Sequence, residues 1–462
     1  VDGDAIPVGF RAGEMSARVL IAGAGPAGCA IAHRLARRVD VTHIDAGTRV
    51  DLACDGTLPA ICDEPYRAAG AGGGLALWGG YCADPGDDLD RPEWLGLGPE
   101  LRPCLTDALR WLGCKRHLAA PAVAQARGLA QPLALSGLEP RLWQFSPVGE
   151  IGDLPSVQDG TRVLKDTRLV SVELSADGRR ITHAVIEGKD GTHRIETDAV
   201  FLATGAIENV RILLGPIRAA GARIPEATGR GLVEHGAFQV TGLRVPQGSW
   251  IERLHRRAND FGTGENALAM ALAKSERERL GLMHDVLHPY RGPDGTMRLG
   301  VMSEQARNPA NRVYLSGAQG DDGVHRARVD WGLSAEDRER MRRSAREMAM
   351  RVVSSGSGAL ESEGEVDVAP HPGAPVWCGH PTSTTPMGHD ARSSVVDRDG
   401  RLHGLSNLHL AGSGTFPSAG WANPTLLIVA LAFRQADRFL EDQAAPTGSS
   451  SASSIRSLNS LT

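Results

Sequence analysis

The chain has 462 residues, 41% hydrophobic and 23% charged, with a formal net charge of −5. That length holds two or more sub-domains around a sizeable core. The slight acidity gives no footing for a nucleic-acid or anionic-membrane partner, and seven cysteines without a C-x-x-C argue against a disulfide framework or a zinc site and for a reducing cytoplasm.

In chain order, Asp2, Asp4 and Glu14 do not suit a secretory signal. Met15 is a candidate internal start, which would leave residues 1–14 as an extension without a role in the fold. Residues 18–22 form a short apolar run suited to a buried parallel strand. G-A-G-P-A-G follows at 23–28, then an apolar-periodic helix over 29–38 and a second strand over 41–44 that ends at Asp45. This is a β-α-β unit with G-x-G-x-x-G at its first turn and an acid closing its second strand. Gly23 permits the tight turn, Gly25 lets backbone N–H groups approach a pyrophosphate, and Gly28 lets helix and strand pack closely. Asp45 is placed to accept hydrogen bonds from ribose hydroxyls, which favours a free 2′-hydroxyl over a 2′-phosphate.

Residues 70–80 read G-A-G-G-G-L-A-L-W-G-G. Such glycine density requires positive φ or close backbone approach to a ligand, and the embedded Trp78 argues against a solvent loop. Residues 92–158 are Pro-rich, with one helix expected over 105–112. Three antiparallel strands are expected over 167–174, 180–187 and 193–198, with turns at Asp177-Gly178 and Asp190-Gly191. They lead into a separate buried strand over 199–206 and a helix over 208–214. Residues 236–364 form a second large block with alternating apolar segments and a charged helix from 334 to about 353.

The C-terminal stretch carries the densest signal: H-P-T-S-T-T-P-M-G from His380, a turn at Asp399-Gly400, a strand over 408–411, a Gly/Ser/Pro loop, then Asn423-Pro424 opening a helix. The longest apolar run, 426–433, is too short to span a bilayer. The Ser-rich segment after Gln443 reads as a disordered tail.

These pieces in this order resemble the glucose–methanol–choline oxidoreductase family, whose members are FAD enzymes oxidising alcohols. The resemblance covers most of residues 19–440. It rests above all on the His380 motif, on S-V-V-D-R-D-G-R-L-H-G-L-S-N-L-H-L-A-G-S and on P-S-A-G-W-A-N-P-T-L-L-I-V-A-L-A. It implies an α/β fold: a Rossmann-like FAD-binding domain, with parallel sheet and antiparallel meander, interrupted by an α+β substrate-binding domain. The flavin domain would comprise 16–91, 161–235 and 369–443, with a connecting segment at 92–160, a substrate domain at 236–368 and a tail at 444–462.

By the same match His380 and Asn423 form the catalytic pair. FAD would touch Gly23, Gly25, Pro26, Ala27, Gly28, Asp45, Ala46, Gly73, Gly74, Leu77, Trp78, Leu169 (backbone, to adenine), Ala203, Gly205, Gly412, Ser413, Pro424 and Thr425. Relatives with covalently held flavin have a His where Leu77 stands, so non-covalent FAD is expected. Departures are Gly74-Leu75 in place of Ser or Thr pairs, E-N-V-R at 208–211, and the missing Gly in His380-Pro-Thr-Ser. The short chain implies a pared-down substrate domain and an open pocket.

A neutral His suits proton abstraction from an alcohol, and an Asn amide can donate to the oxygen without competing for the proton. On the residues alone, His380 reads equally as a buried histidine beside Trp377, and Asn423 as a helix cap. His403 and His409 read as structural, His389 as solvated, and His235 as packing the hinge into the second block. A Cys378–His380 nucleophile lacks a second His and an oxyanion device. The expected partners are a small-molecule alcohol and oxygen or another electron acceptor, with no metal, nucleic acid or membrane. The hydrophilic second block, in a chain with only 4% aromatic residues, fits a polyhydroxylated substrate better than a steroid or aryl alcohol (a sugar, glycoside or amino-sugar intermediate of secondary metabolism), and relatives acting on aminoglycoside precursors are similar in the C-terminal pattern. The alternative is a flavin-containing lyase of the same family.

Overall fold

The computed structural model describes residues 15–47, 52, 54–56, 68, 70, 72–148, 160–320, 323–361, 366–370 and 379–444. The N-terminal extension, Cys62, Trp377, Cys378 and the tail after residue 444 lie outside them.

The first sheet is built on β1 (Met15–Ala22). Val19, Leu20 and Ile21 are fully buried, as the apolar run requires. α1 (Pro26–Leu35) crosses over to β2 (Val41–Ile44), which pairs with β1 in parallel. α1 starts three residues before the expected helix because Pro26, with its fixed φ and missing N–H, already suits the first turn. Arg37 at φ 63 follows its end. Strand Thr161–Leu164 extends the sheet beyond β2. On the other side of β1, Gly191–Leu202 and then Leu408–Leu410 add in parallel. The N-terminal and C-terminal parts therefore meet on one sheet.

Gly191–Leu202 replaces two expected strands with one. Its first half pairs antiparallel with Ile181–Gly188, completing the three-strand meander that begins with Arg168–Leu174. Its second half is gripped by β1 and Leu408–Leu410. The change from alternating to continuous apolar residues marks the point where one strand becomes buried on both faces, not a break between two strands.

Asn209 fastens the turn after this strand. It is fully buried; its Oδ1 accepts from the Thr204 N–H at 3.0 Å and hydroxyl at 2.7 Å, and its Nδ2 donates to Ala411 O at 3.1 Å. Asn209→Leu leaves those groups unpaired and should cost about 2–4 kcal/mol. A fall of several degrees in the unfolding midpoint checks this, and an unchanged midpoint refutes it.

The second sheet is antiparallel throughout. Its order is Asp367–Pro370, Gly236–Thr241, Met297–Ser303, Asp285–Arg291, Asn266–Leu272, Leu138–Phe145 and Tyr81–Ala83. Two of its strands thus come from residues before 160. Helix Ala335–Ser354 covers one face, opened by a capping box in which Ser334 Oγ accepts from Asp337 N and Asp337 Oδ2 accepts from Ser334 N. The other face carries Trp143, Phe145, Ala267, Ala269, Val286 and Met302, packed with Trp421 and Ala422. That contact sets the second sheet over the loop leading to Asn423. In the stretch read as irregular, helix Gly98–Trp111 runs seven residues further upstream than expected, and Ala120–Ala126 and Ala130–Ser136 are further helices.

Candidate active site

A cavity of about 1600 Å³ runs from the ends of the parallel strands to the face of the second sheet. Single small-ligand pockets span about 300–1,000 Å³, so this one has room for a large cofactor and a substrate together. It lies at the carboxyl ends of β1, β2, Gly191–Leu202 and Leu408–Leu410, the position ligands take in open α/β sheets.

The cavity is lined by Gly23, Gly25, Pro26, Ala27, Asp45, Ala46, Gly73, Gly74, Leu77, Trp78, Leu169, Ala203, Gly205, Gly412, Ser413, Pro424 and Thr425. Of the residues expected at a cofactor, Gly28 is the exception. It lies beneath the turn, where an added Cβ would stand 1.9 Å from Gly23 O, so its absence of side chain serves helix packing. Gly23 has φ +104, and a Cβ there would meet Ala203 O at 2.6 Å. At Gly25, Gly74, Gly205 and Gly412 a Cβ would meet nothing within 4 Å, which leaves bare backbone facing open space. No side chain caps α1. A helix N-terminus with bare glycines before it fits a pyrophosphate. Asp45 Oδ1 accepts from Gly47 N at 3.0 Å, which orients its carboxylate at the end of β2. His43 Nε2 lies 2.9 Å from Gly23 O and donates to it, a buried anchor for the glycine turn. The residues present fit a dinucleotide.

At the far end His380 faces Asn423, Nε2 to Nδ2, at 3.5 Å. Asn423 Oδ1 accepts from Trp143 Nε1–H at 2.9 Å, so the amide turns its N–H groups toward His380 and the cavity. Helix Thr425–Ala444 starts beside it, with Ile428 N–H donating to Pro424 O at 2.8 Å. Behind His380 stands His235, Nδ1 to Nδ1, at 2.9 Å. His235 does not merely pack a hinge. Its Nε2 lies 2.9 Å from Gly420 O, and a carbonyl can only accept, so Nε2 carries the proton. His235 Nδ1 is then a lone pair and takes its hydrogen bond from the Nδ1–H of His380. The remaining nitrogen, His380 Nε2, is left unprotonated toward Asn423 and the cavity. Burial and the neighbouring His235 ring push His380 down to about 3, so the ring is neutral at physiological pH.

The segment carrying Gly420 is held from below. Glu304 Oε1 accepts from Gly420 N at 3.1 Å, and Asp88 Oδ2 from Trp421 N at 3.3 Å. Glu304 is fully buried. Burial pushes it up, but Arg91, whose Nη1 lies 2.7 and 2.9 Å from its two oxygens, and His284 outweigh this and hold it below its usual value. His380 N donates to Glu234 Oε2 at 2.8 Å. Asp87, Asp88 and His284 cluster closely enough to share a cation, but Asp87 is paired with Arg277 at 2.6 Å and Asp88 with His284.

The other candidates fall elsewhere. His409 is buried and stacked on Phe201, with ring centres 4.7 Å apart; His403 Nε2 bonds Ser394 Oγ; His389 is exposed. Burial, then Arg401, pushes His409 down to about 4, and burial also lowers His43 and His235. The unfolded chain therefore takes up protons below about pH 6.5 that the folded chain refuses, and stability falls as pH falls. His409 alone should lower it by about 1 kcal/mol between pH 7 and pH 5.5. Unfolding midpoints at those two pH values check the sign; no decrease at pH 5.5 refutes it.

Sequence reasoning missed Trp143, His288 and Met302, which line the cavity from the second sheet, His255, which lines it from the end of helix Ile251–Leu254, and Glu208 and Arg211, which pair with each other on its wall. It also missed the role of His235. Only V-E-H, a histidine beside an acid at the entry to the second block, hinted at it.

Residues 307–432 match the family model described as GMC oxidoreductase. The chain is 26% identical over 257 residues to paromamine 6'-oxidase from Streptomyces fradiae, covering 53% of this chain and 46% of that protein. It is 27% identical over 406 residues to C-glycoside 3-oxidase from Arthrobacter globiformis, covering 81% and 74%. It thus spans about half the length of the first of these relatives. In structure it resembles pyridoxine 4-oxidase from Mesorbium loti, with a TM-score of 0.59 at 19% identity, covering 92% of this chain and 99% of that one. Among the described residues no helix is long and apolar enough to cross a membrane.

Proposed function

Because the chain belongs to the GMC oxidoreductase family, we propose that it holds FAD non-covalently and oxidises a hydroxyl of a sugar, glycoside or amino-sugar intermediate to a carbonyl. The observation that carries this reading is the unprotonated His380 Nε2 beside the Asn423 amide, in the same cavity as the bare glycine turns. The two relatives' names, each an oxidase of a glycosidic compound, support the substrate class.

In this reading the Rossmann-like first sheet holds the cofactor. Backbone N–H groups of Gly25 and Ala27 would hold the pyrophosphate, Asp45 the ribose, the Leu169 backbone the adenine, and Gly412, Ser413 and the start of helix Thr425–Ala444 the ring end. Leu77 offers no nucleophile for covalent attachment. FAD, when bound, accepts the hydride from the substrate carbon. His380 Nε2 takes the hydroxyl proton, Asn423 Nδ2 donates to the oxygen as negative charge develops, and Trp143 keeps that amide from rotating. The flavin domain is taken as 16–91, 161–235 and 369–443 and the substrate domain as 236–368, with strands Tyr81–Ala83 and Leu138–Phe145 contributing to the substrate side.

The test is the anaerobic visible spectrum of the purified protein with a panel of sugars, glycosides and amino sugars. One compound should bleach the flavin band, and admitting air then separates oxidase from dehydrogenase. A protein that binds no FAD refutes the reading. A flavin band that no alcohol bleaches refutes the oxidation.

A further inference from the structure

The reaction end of the cavity has its own built polar pair. His288, on Asp285–Arg291, stands opposite Gly300, where an added Cβ would meet the imidazole at 2.7 Å. Only a glycine lets the ring lie in this position. On its other side the intervening strand presents the buried Ala267 and Ala269, so His288 and Trp143 meet across it edge to face, with ring centres 5.8 Å apart. His255 comes from the segment after helix Ile251–Leu254 and brings its ring centre to 6.0 Å from that of His288. Its Nδ1 is buried and has no hydrogen-bond partner among the described residues. Both imidazoles and Trp143 line the cavity that holds His380 and Asn423. A buried polar atom left without a partner is destabilising; one that faces a cavity gains its partner from a ligand.

The charges around this end point one way. The cavity's carboxylates among the described residues are Asp45, Glu187 and Glu208. Asp45 closes β2 at the glycine-turn end, and Arg168 and Arg211 already neutralise Glu187 and Glu208. Among the described residues that line the cavity, no carboxylate belongs to the group of His255, His288 and Trp143. The nearby charge is a cation: Arg257 lies 3.8 Å over the Phe145 ring and 5.8 Å from the Tyr81 ring, with Glu265 at 3.8 Å as its exposed partner. Burial and Arg257 both lower the pKa of His255, which keeps the ring neutral.

We propose that His255 and His288 form a hydroxyl-recognition subsite and that its ligand is an uncharged polyhydroxylated ring, a neutral glycoside in preference to a cationic amino sugar. A neutral imidazole offers one donor and one acceptor, the same complement as a hydroxyl. Trp143 supplies an apolar surface against which the C–H groups of such a ring can lie. An ammonium group here would leave water without an anion among the described lining residues to receive it and with a guanidinium nearby, which weakens its binding. This deepens the oxidation reading and rests on it only for which hydroxyl reacts.

The test is equilibrium binding to the FAD-loaded enzyme under nitrogen, read by calorimetry at pH 7. The ligands are neutral methyl glycosides (gluco, galacto and manno) and the 6-amino-6-deoxy analogue of the best binder. The neutral glycoside should bind at least about tenfold tighter than its amino analogue, the minimum expected of an unpaired charge. His255→Leu and His288→Leu should each weaken it about tenfold or more, while leaving flavin content and the affinity for cyclohexanol, which has one hydroxyl, unchanged. Equal or tighter binding of the amino sugar overturns the proposal without recourse to any variant. So does loss of affinity for cyclohexanol in parallel with the glycoside, or failure of every neutral glycoside to bind. A glycoside that binds in this pattern without bleaching the flavin supports the subsite and refutes the oxidation reading instead.

Discussion

His380→Ala should slow reduction of the bound flavin by substrate about 10²–10⁴-fold, the range ascribed to a positioned general base. The argument is geometric. His380 Nε2 is the nitrogen left without a proton by the chain of bonds from Gly420 through His235, and it opens on the cavity beside Asn423. Removing the ring takes away the imidazole that stands beside Asn423; the lone pair of His235 Nδ1 lies behind it, 2.9 Å from His380 Nδ1, and His43 is spent on Gly23. Flavin content should stay near that of the parent, because the glycine turns and Asp45 stand at the other end of the cavity. Single-turnover reduction under nitrogen measures the loss. A variant that reduces its flavin at the parental rate means that His380 takes no proton. Asn423→Ala should have a smaller effect, about 10²-fold or more for one lost oxyanion donor. It should also free the Trp143 N–H, visible as a change in tryptophan fluorescence.

How much of this was legible depended on how far apart in sequence the partners lie. β1, the glycine turn, α1, β2 and Asp45 are local, so their roles follow from periodicity and from what glycine alone permits. His380 and Asn423 were found through the C-terminal motif; no local rule separates His380 from an ordinary packed histidine. Trp143 was missed because its partner is 280 residues away and its strand lies in a Pro-rich stretch without clear alternation. His235 was missed for the same reason, with its two partners 145 and 185 residues downstream. Gly191–Leu202 was divided in two because one strand crosses from a half-exposed meander into a doubly covered sheet, and a change of period resembles a boundary. His255 and His288 come together only once the strand carrying His288 is in register with Gly300 and helix Ile251–Leu254 has packed beside it, which composition cannot reveal.

His235 tests whether the geometry behind the base matters as much as the base. His235→Leu removes the acceptor for the Nδ1–H of His380, so the ring no longer has one favoured tautomer and spends time with its proton on the nitrogen that should be empty. The expected result is a fall of about 10–100-fold in kcat with KM little changed, as when a residue orienting a functional imidazole is lost. His235→Asn, whose carbonyl can accept the same proton, should recover much of that loss, whereas a purely structural role would be served no better by Asn than by Leu. The pH profile supplies an independent sign. His235 lies beside His380 and helps to lower its pKa, so its removal lets His380 protonate at higher pH. The parent should hold its kcat/KM down to about pH 5, since its base titrates well below that; burial, the larger cause, stays in both variants, so their acid limb should move to higher pH than the parent's while remaining below that of an ordinary imidazole. Parallel profiles, or equal damage from Leu and Asn with loss of flavin, would reduce His235 to packing. A shifted limb rescued in rate by Asn would make it the residue that determines which nitrogen of His380 faces the substrate.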